Sequence, residues 1–167
     1  PVTGSTGDPP PATSTGDATS VGTTDEPGTT GEPPDPAAPL FEPTALAQFD
    51  IALSPDAIAS LNEDHETYVS GDLTVTLAGE VTVLPDIGVR LKGVYGSFRT
   101  LDQKAAFLLN FDRYVADQEL YGLTKLAINN MVQDPSMERE ALGYTLFRAG
   151  GVPAPRTGSA VVTVNGQ

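Results

Sequence analysis

The stretch Tyr68-Val-Ser-Gly-Asp-Leu-Thr-Val-Thr-Leu77 alternates polar and apolar residues, which predicts a half-buried strand with Leu73, Val75 and Leu77 inward. It stops at Ala78-Gly79, and Val81–Leu84 and Ile87–Leu91 carry the pattern onward past Pro85-Asp86. Strand, tight turn and returning strand together predict an antiparallel meander. Upstream, Leu46–Leu53 reads as a strand with Ile51 and Leu53 on one face. Ser54-Pro55-Asp56 follows it with an N-cap, a proline at the first helical position and an early acid, so a short helix is expected to about Asn62. Downstream, Ala105–Phe111 and Leu123–Ile128 have strand length and composition. The strongest helix signal comes next. Asp134 offers a cap, Pro135 suits a first turn, and Glu138 and Glu140 favour the positive end of the helix dipole. Met137, Ala141, Leu142, Leu146 and Ala149 form an apolar face, and Gly150-Gly151 with Pro153 and Pro155 ends it. The expected fold is α+β: an antiparallel sheet with one main packed helix. Ala160–Val164 is a last strand running into Asn165-Gly166, a strong hairpin signal. Only Gln167 follows, so the sequence reads as cut within a hairpin.

Composition divides the chain near residue 40. Residues 1–40 hold nine Pro, six Gly and twelve Ser or Thr, with no aromatic residue and no cation. Ser5-Thr-Gly-Asp8, Ser14-Thr-Gly-Asp17 and Thr29-Thr-Gly-Glu32 form a near-repeat. Such a segment has too little apolar surface to offset about 1–2 kcal/mol of ordering entropy per residue. Residues 1–40 are therefore expected to be a disordered acidic linker, and residues 41–167 the folded domain.

The 167 residues include 22 acidic and 9 basic side chains, one histidine, no cysteine and no tryptophan. Lack of cysteine excludes disulfide scaffolds, thiolate metal sites and a cysteine nucleophile. No run approaches the roughly 20 apolar residues of a membrane span. Residues 1–89 carry 15 acids and no base, whereas residues 90–167 carry all nine bases and seven acids. Nucleic acid is thus an improbable partner for the first half, and anion chemistry belongs to the second.

Within that second half, Gly93-Val-Tyr-Gly96-Ser97 follows a strand and its glycines would admit phosphates. Two glycines three apart are equally ordinary turn chemistry. Arg90 and Lys92 share one strand face and could meet one anion. Lys104 and Lys125, with Glu138 and Glu140, permit a lysine–glutamate pair between sheet and helix, an arrangement that positions phosphates in kinases. Asn129-Asn130 with Gln133-Asp134 is a dense polar cluster that also serves to cap and turn the chain. His65 sits in a polar turn.

Gly122-Leu-Thr-Lys-Leu-Ala-Ile-Asn-Asn-Met-Val-Gln-Asp-Pro-Ser-Met137, continuing through Arg139-Glu140 to Gly151-Val-Pro-Ala-Pro-Arg156, resembles the CotH family, named for a spore-coat protein H. Val89-Arg-Leu-Lys-Gly93 and Lys104 with Phe107 resemble its upstream motif, so the likeness runs over about residues 45–167. It implies the first part of an atypical, extracytoplasmic protein kinase with a kinase-like N-lobe, using ATP and Mg²⁺ on protein serine at a cell surface or coat. By the same resemblance Arg90, Lys92, Lys104 and Lys125 would cradle the nucleotide, Gly93, Gly96 and Ser97 would lie near phosphates, and Glu138 or Glu140 would be the helix glutamate. The family's catalytic aspartates would fall beyond Gln167, so this stretch alone is not expected to catalyse. Leu108 and the Val94-Tyr95-Gly96-Ser97 loop depart from the family pattern by removing polar groups from that side. A noncatalytic surface or coat module is the competing reading.

Overall fold

The computed structural model describes residues 33–167, so residues 1–32 of the expected linker lie outside it. The packed unit runs from Pro34 to Gln167. Residues Ala38–Phe41 form a 3-10 turn in which Leu40 is buried, and Ala37 is buried beside it. Asp35 anchors this entry segment by accepting from the Ala37 amide at 3.0 Å and by pairing with Arg156.

Six strands follow: β1 (Leu46–Ala52), β2 (Val69–Leu77), β3 (Glu80–Lys92), β4 (Ala106–Asn110), β5 (Lys125–Ile128) and β6 (Ser159–Val164). They form one sheet in the order β5-β4-β3-β2-β1-β6. The first five pair antiparallel as expected, but β6 lies parallel to β1, from Leu46 opposite Ser159 to Ile51 opposite Val164. The sheet is therefore mixed and not antiparallel throughout. Parallel pairing joins strands remote in the chain, so no local turn signals it. Asn165 and Gly166 both have positive φ, 51° and 79°, and Gln167 exchanges two backbone hydrogen bonds with Val164. This is the two-residue turn that the Asn-Gly pair predicts.

Two helices complete the α+β fold. In α1 (Pro55–Glu63) the Ser54 hydroxyl accepts from the Ala57 amide at 3.1 Å, and Ala57 and Leu61 bury against the sheet. The second helix, α2 (Arg139–Ala149), corrects the expectation in two ways. It starts at Arg139 because Met137 has φ +58°, outside the helical region, so Pro135 stands in a turn before the helix. It also buries no residue, and Leu142, Leu146 and Phe147 are exposed. The packed helix is α1. Helix α2 instead meets the sheet through polar side chains, as described below. Its end follows expectation: Gly151 has φ +75°, the Val152 amide reaches the Phe147 carbonyl at 2.8 Å, and the Gly151 amide reaches Arg148 at 3.0 Å.

Leu73, Val75, Ile87, Val89, Leu109 and Phe111 are fully buried at the centre of the core. Their common orientation depends on an irregularity. Gly71 faces Ile87 and Leu73 faces Leu84, so one residue of β2, Asp72, opposes two of β3, Pro85 and Asp86. Proline has no amide to lose there, Asp86 takes φ +50°, and its amide is accepted by the Asp72 carboxylate at 3.0 Å. This bulge lets both Leu84 and Ile87 point inward, and thereby turns Arg90 and Lys92 outward.

Two outcomes test this account. Inserting one residue after Asp72 gives Pro85 and Asp86 separate partners, removes the bulge and drives Arg90 and Lys92 toward the core. Burial of unpaired charges costs several kcal/mol each, so loss of the cooperative unfolding transition is expected in calorimetry. Ser54→Ala should lower stability by about 1 kcal/mol in urea titration through loss of the α1 cap.

Candidate functional site

The outer face of β3, β4 and β5 carries its side chains in cross-strand rows. Lys92 faces Ala106, with Asn129 next in the row beyond the end of β5. Arg90 faces Leu108, which faces Ala127; Gly88 faces Asn110, which faces Lys125. Successive rows stand about 7 Å apart, two residues along each strand.

The first row makes the site. Lys92 Nζ donates to Asn129 Oδ1 at 2.5 Å, and Asn129 Nδ2 donates to Glu140 Oε2 at 2.5 Å. The other carboxylate oxygen of Glu140 accepts from the Tyr144 hydroxyl at 3.1 Å, one turn along α2. This bond, with the negative charge of Glu140, pushes the Tyr144 pKa above its ordinary value of 10.0. Lysine and glutamate are thus joined through an asparagine side chain and not by direct contact. The amide suits this place because it presents an acceptor to the ammonium and a donor to the carboxylate at once.

Beside Lys92 the chain turns. Gly93 has φ +127°, and a Cβ there would stand 2.8 Å from the Phe98 Cα, so only glycine lets the loop fold back this closely. Tyr95 and Gly96 both take positive φ, 40° and 88°, and the Ser97 amide closes the turn on the Val94 carbonyl at 3.1 Å. The Ser97 hydroxyl is occupied within the same turn. It accepts from the Val94 amide at 3.1 Å and donates to the Val94 carbonyl at 2.8 Å.

Side-chain amides from the polar segment after β5 hold this loop. Buried Asn130 donates to the Ser97 carbonyl at 2.8 Å, and Gln133 donates to the Tyr95 carbonyl at 3.3 Å. Asp134 organises the segment itself. Its carboxylate accepts from the Ser136 hydroxyl at 2.6 Å and amide at 3.1 Å, and from the Arg139 amide at 2.9 Å. Arg139 Nε lies 3.4 Å from the same carboxylate. Asp134 therefore does cap α2, but from five residues ahead. The Ser136 hydroxyl first, then the Arg139 amide, hold its pKa below the ordinary 3.8.

Between these parts lies an open cleft of about 290 Å³, lined by Lys92, Gly93, Ser97, Asn130, Arg139 and Glu140 among others. Of the expected residues, the structure brings Lys92, Gly93, Ser97 and Glu140 together, with Gly96 in the adjoining turn. Lys104, Lys125 and Glu138 lie outside this cleft but share with Lys92 and Glu140 a larger open groove of about 1690 Å³, in which Lys104 Nζ stands 3.8 Å from Met137 Sδ. Lys125 stands two rows from Lys92, and Arg90 is turned toward Tyr68. Glu138 is exposed at the start of α2. Asn129, Asn130, Gln133 and Tyr144 do as much in the cleft as any cation. The polar cluster of Asn129-Asn130 with Gln133-Asp134 was the signal of this in the sequence, and it reads equally as turn chemistry.

The cleft offers an ammonium, a guanidinium and amide donors, which suits the phosphate groups of a nucleotide. Among the described residues no three of His, Asp or Glu converge as metal ligands, so this set does not by itself fit a magnesium ion.

In comparison with known proteins, residues 89–167 match the family model described as CotH kinase protein. The matched stretch contains every residue of the cleft and omits β1, β2 and α1. No curated protein matches the chain.

Because the folded pKa of Asp134 is lowered, its contribution to stability is complete above the unfolded value near 3.9 and fades as pH falls through the folded value. Asp134→Asn should therefore be less stable than the parent at neutral pH, with the two converging in thermal melts as pH falls through the lowered folded value.

Proposed function

Because residues 89–167 match the model of the CotH kinase protein family, we propose that the chain supplies the nucleotide-facing sheet and helix of an extracytoplasmic protein kinase. In this reading the sheet with α2 corresponds to a kinase N-lobe, and the partner is a protein presenting serine at a cell surface or coat. The observation that carries it is the Lys92–Asn129–Glu140 chain beside the glycine turn. Lys92 would bind phosphate oxygens of ATP, and its bond to Asn129 limits where the ammonium can go. Glu140 sets the Asn129 amide, and Tyr144 sets Glu140, so three side chains orient one cation. Gly93 and Gly96 leave the loop without side chains where phosphates would approach.

ATP with Mg²⁺ would supply the transferable γ-phosphoryl group and the charge neutralisation that such transfer needs. The metal-holding and hydroxyl-orienting acids are assigned to no described residue, because the cleft lacks the donor set. The residues here bind and orient. An extracytoplasmic place is supported by the family and by the acidic Ser/Thr/Pro/Gly character of residues 1–40. No helix among the described residues is long and apolar enough to cross a membrane.

Thermal melts with and without MgATP test the proposal. A ligand at 100 times its Kd stabilises by about 2.7 kcal/mol, so a concentration-dependent rise in Tm is expected, lost in Lys92→Ala and reduced in Glu140→Gln. A Tm indifferent to nucleotide would favour a noncatalytic coat or surface module.

A further inference from the structure

A second group of cations stands on the outer face, away from the glycine-loop cleft. Tyr68 precedes β2 and, in the register of Val69 with Val89, stands opposite Arg90. The Arg90 guanidinium carbon lies 5.5 Å from the centre of the Tyr68 ring. Arg113, from the loop after β4, places its guanidinium 5.5 Å from the same centre and 6.0 Å from the Tyr114 ring. The Tyr114 hydroxyl donates to the Tyr68 carbonyl at 2.9 Å and ties the two rings together.

Two guanidiniums each 5.5 Å from one point are at most twice that distance apart. This is about one screening length at ordinary salt, so they repel. Neither forms an ion pair among the described residues. Acids are near in the chain, yet Asp86 is engaged with Ser70 and the Asp72 carboxylate accepts from the Asp86 amide. Asp112 makes no bond to either guanidinium among the described residues. The ring face offsets part of the repulsion. An anion between the guanidiniums would remove it.

The backbone is shaped for this arrangement. A Cβ on Gly88 would meet Arg113 Cβ at 2.7 Å and Cγ at 2.8 Å, and Tyr68 Cδ1 at 3.1 Å. Only a bare Cα lets the arginine stem lie across the strand. Next in the Gly88 row, Asn110 is buried and its Oδ1 has no hydrogen-bond partner among the described residues. Lys125 follows Asn110 in the row and lines the groove that Lys92 also borders. Leu108 and Ala127, in line with Arg90, provide an apolar floor.

We propose that Arg90 and Arg113, gathered about Tyr68, form an oxyanion site separate from the Lys92 cleft, and that its ligand is a phosphate monoester, free or borne on serine. Planar guanidiniums match the edges of a phosphate, and its two charges answer two cations that form no ion pair among the described residues. The apolar floor accommodates the carbon side of an ester. The site does not depend on nucleotide binding at Lys92.

Titration of the ¹⁵N-labelled chain with inorganic phosphate, and separately with O-phosphoserine, reads the site through the arginine Nε–Hε signals. The Arg90 and Arg113 signals should move saturably with phosphoserine. Arg113→Gln should weaken binding about tenfold or more, as should Arg90→Lys, which keeps the charge but loses the planar fork. Lys92→Ala should leave this affinity unchanged while affecting nucleotide. Tighter binding of phosphoserine identifies an ester, and equal binding identifies the free ion as sufficient. Circular dichroism confirms that each variant is folded. Unmoved arginine signals, movement confined to Lys92 and its loop, or undiminished affinity in folded Arg113→Gln would overturn the proposal.

Discussion

One register irregularity, Asp72 set against Pro85-Asp86, governs which side of the sheet every later residue of β3 occupies. Before it, the inward residues of β3 are even-numbered, as Leu84 shows; after it they are odd-numbered, as Ile87, Val89 and Leu91 show. A continuous strand would have put Arg90 and Lys92 in the core and Val89 and Leu91 in water. The bulge prevents this by a local arrangement, a positive φ at Asp86 and the Asp72 carboxylate on its amide. Charge placement on the outer face is therefore a consequence of backbone geometry several residues away.

That face then does two things. Its first row, with α2 above it, gathers Lys92, Asn129 and Glu140 beside the glycine turn. Its second and third rows carry Arg90 and Lys125 toward Tyr68, Arg113 and Asn110. Arg90 stands outside the larger groove that Lys92 shares with Lys104 and Lys125. Side-chain length and row spacing separate Arg90 from Lys92, since Lys92 reaches across Ala106 to Asn129 while Arg90 leans the other way onto an aromatic ring. Helix α2 is held by its polar face, through Glu140 bonded to Asn129 and steadied by Tyr144 within the helix, and leaves Leu142, Leu146 and Phe147 exposed.

Much of the fold was legible in the residues because it depends on neighbours in the chain. Ser54-Pro55 capped and opened α1, Gly150-Gly151 closed α2, and Asn165-Gly166 formed the tight turn. Alternation located β1 to β3, because one face of each meets the core, and length and apolar composition located β4 and β5. The misplaced start of α2 has a different cause. Asp134 and Pro135 have the right chemistry for a helix start, but the Asp134 carboxylate is satisfied first by Ser136, and Met137 leaves the helical region.

The residues by themselves determined that the second half holds the cations, that a turn-forming loop follows β3, and that the CotH resemblance lies over the Gly122–Arg156 stretch, which the family match includes. Those are matters of composition and short-range pattern. Only the tertiary structure decided that β6 joins β1 in parallel, that an asparagine stands between lysine and glutamate, and that Arg113 shares a ring with Arg90. Each of these joins residues far apart in the chain, across strand rows or sheet edges. Cross-strand distance is set by register and twist, which no local propensity encodes.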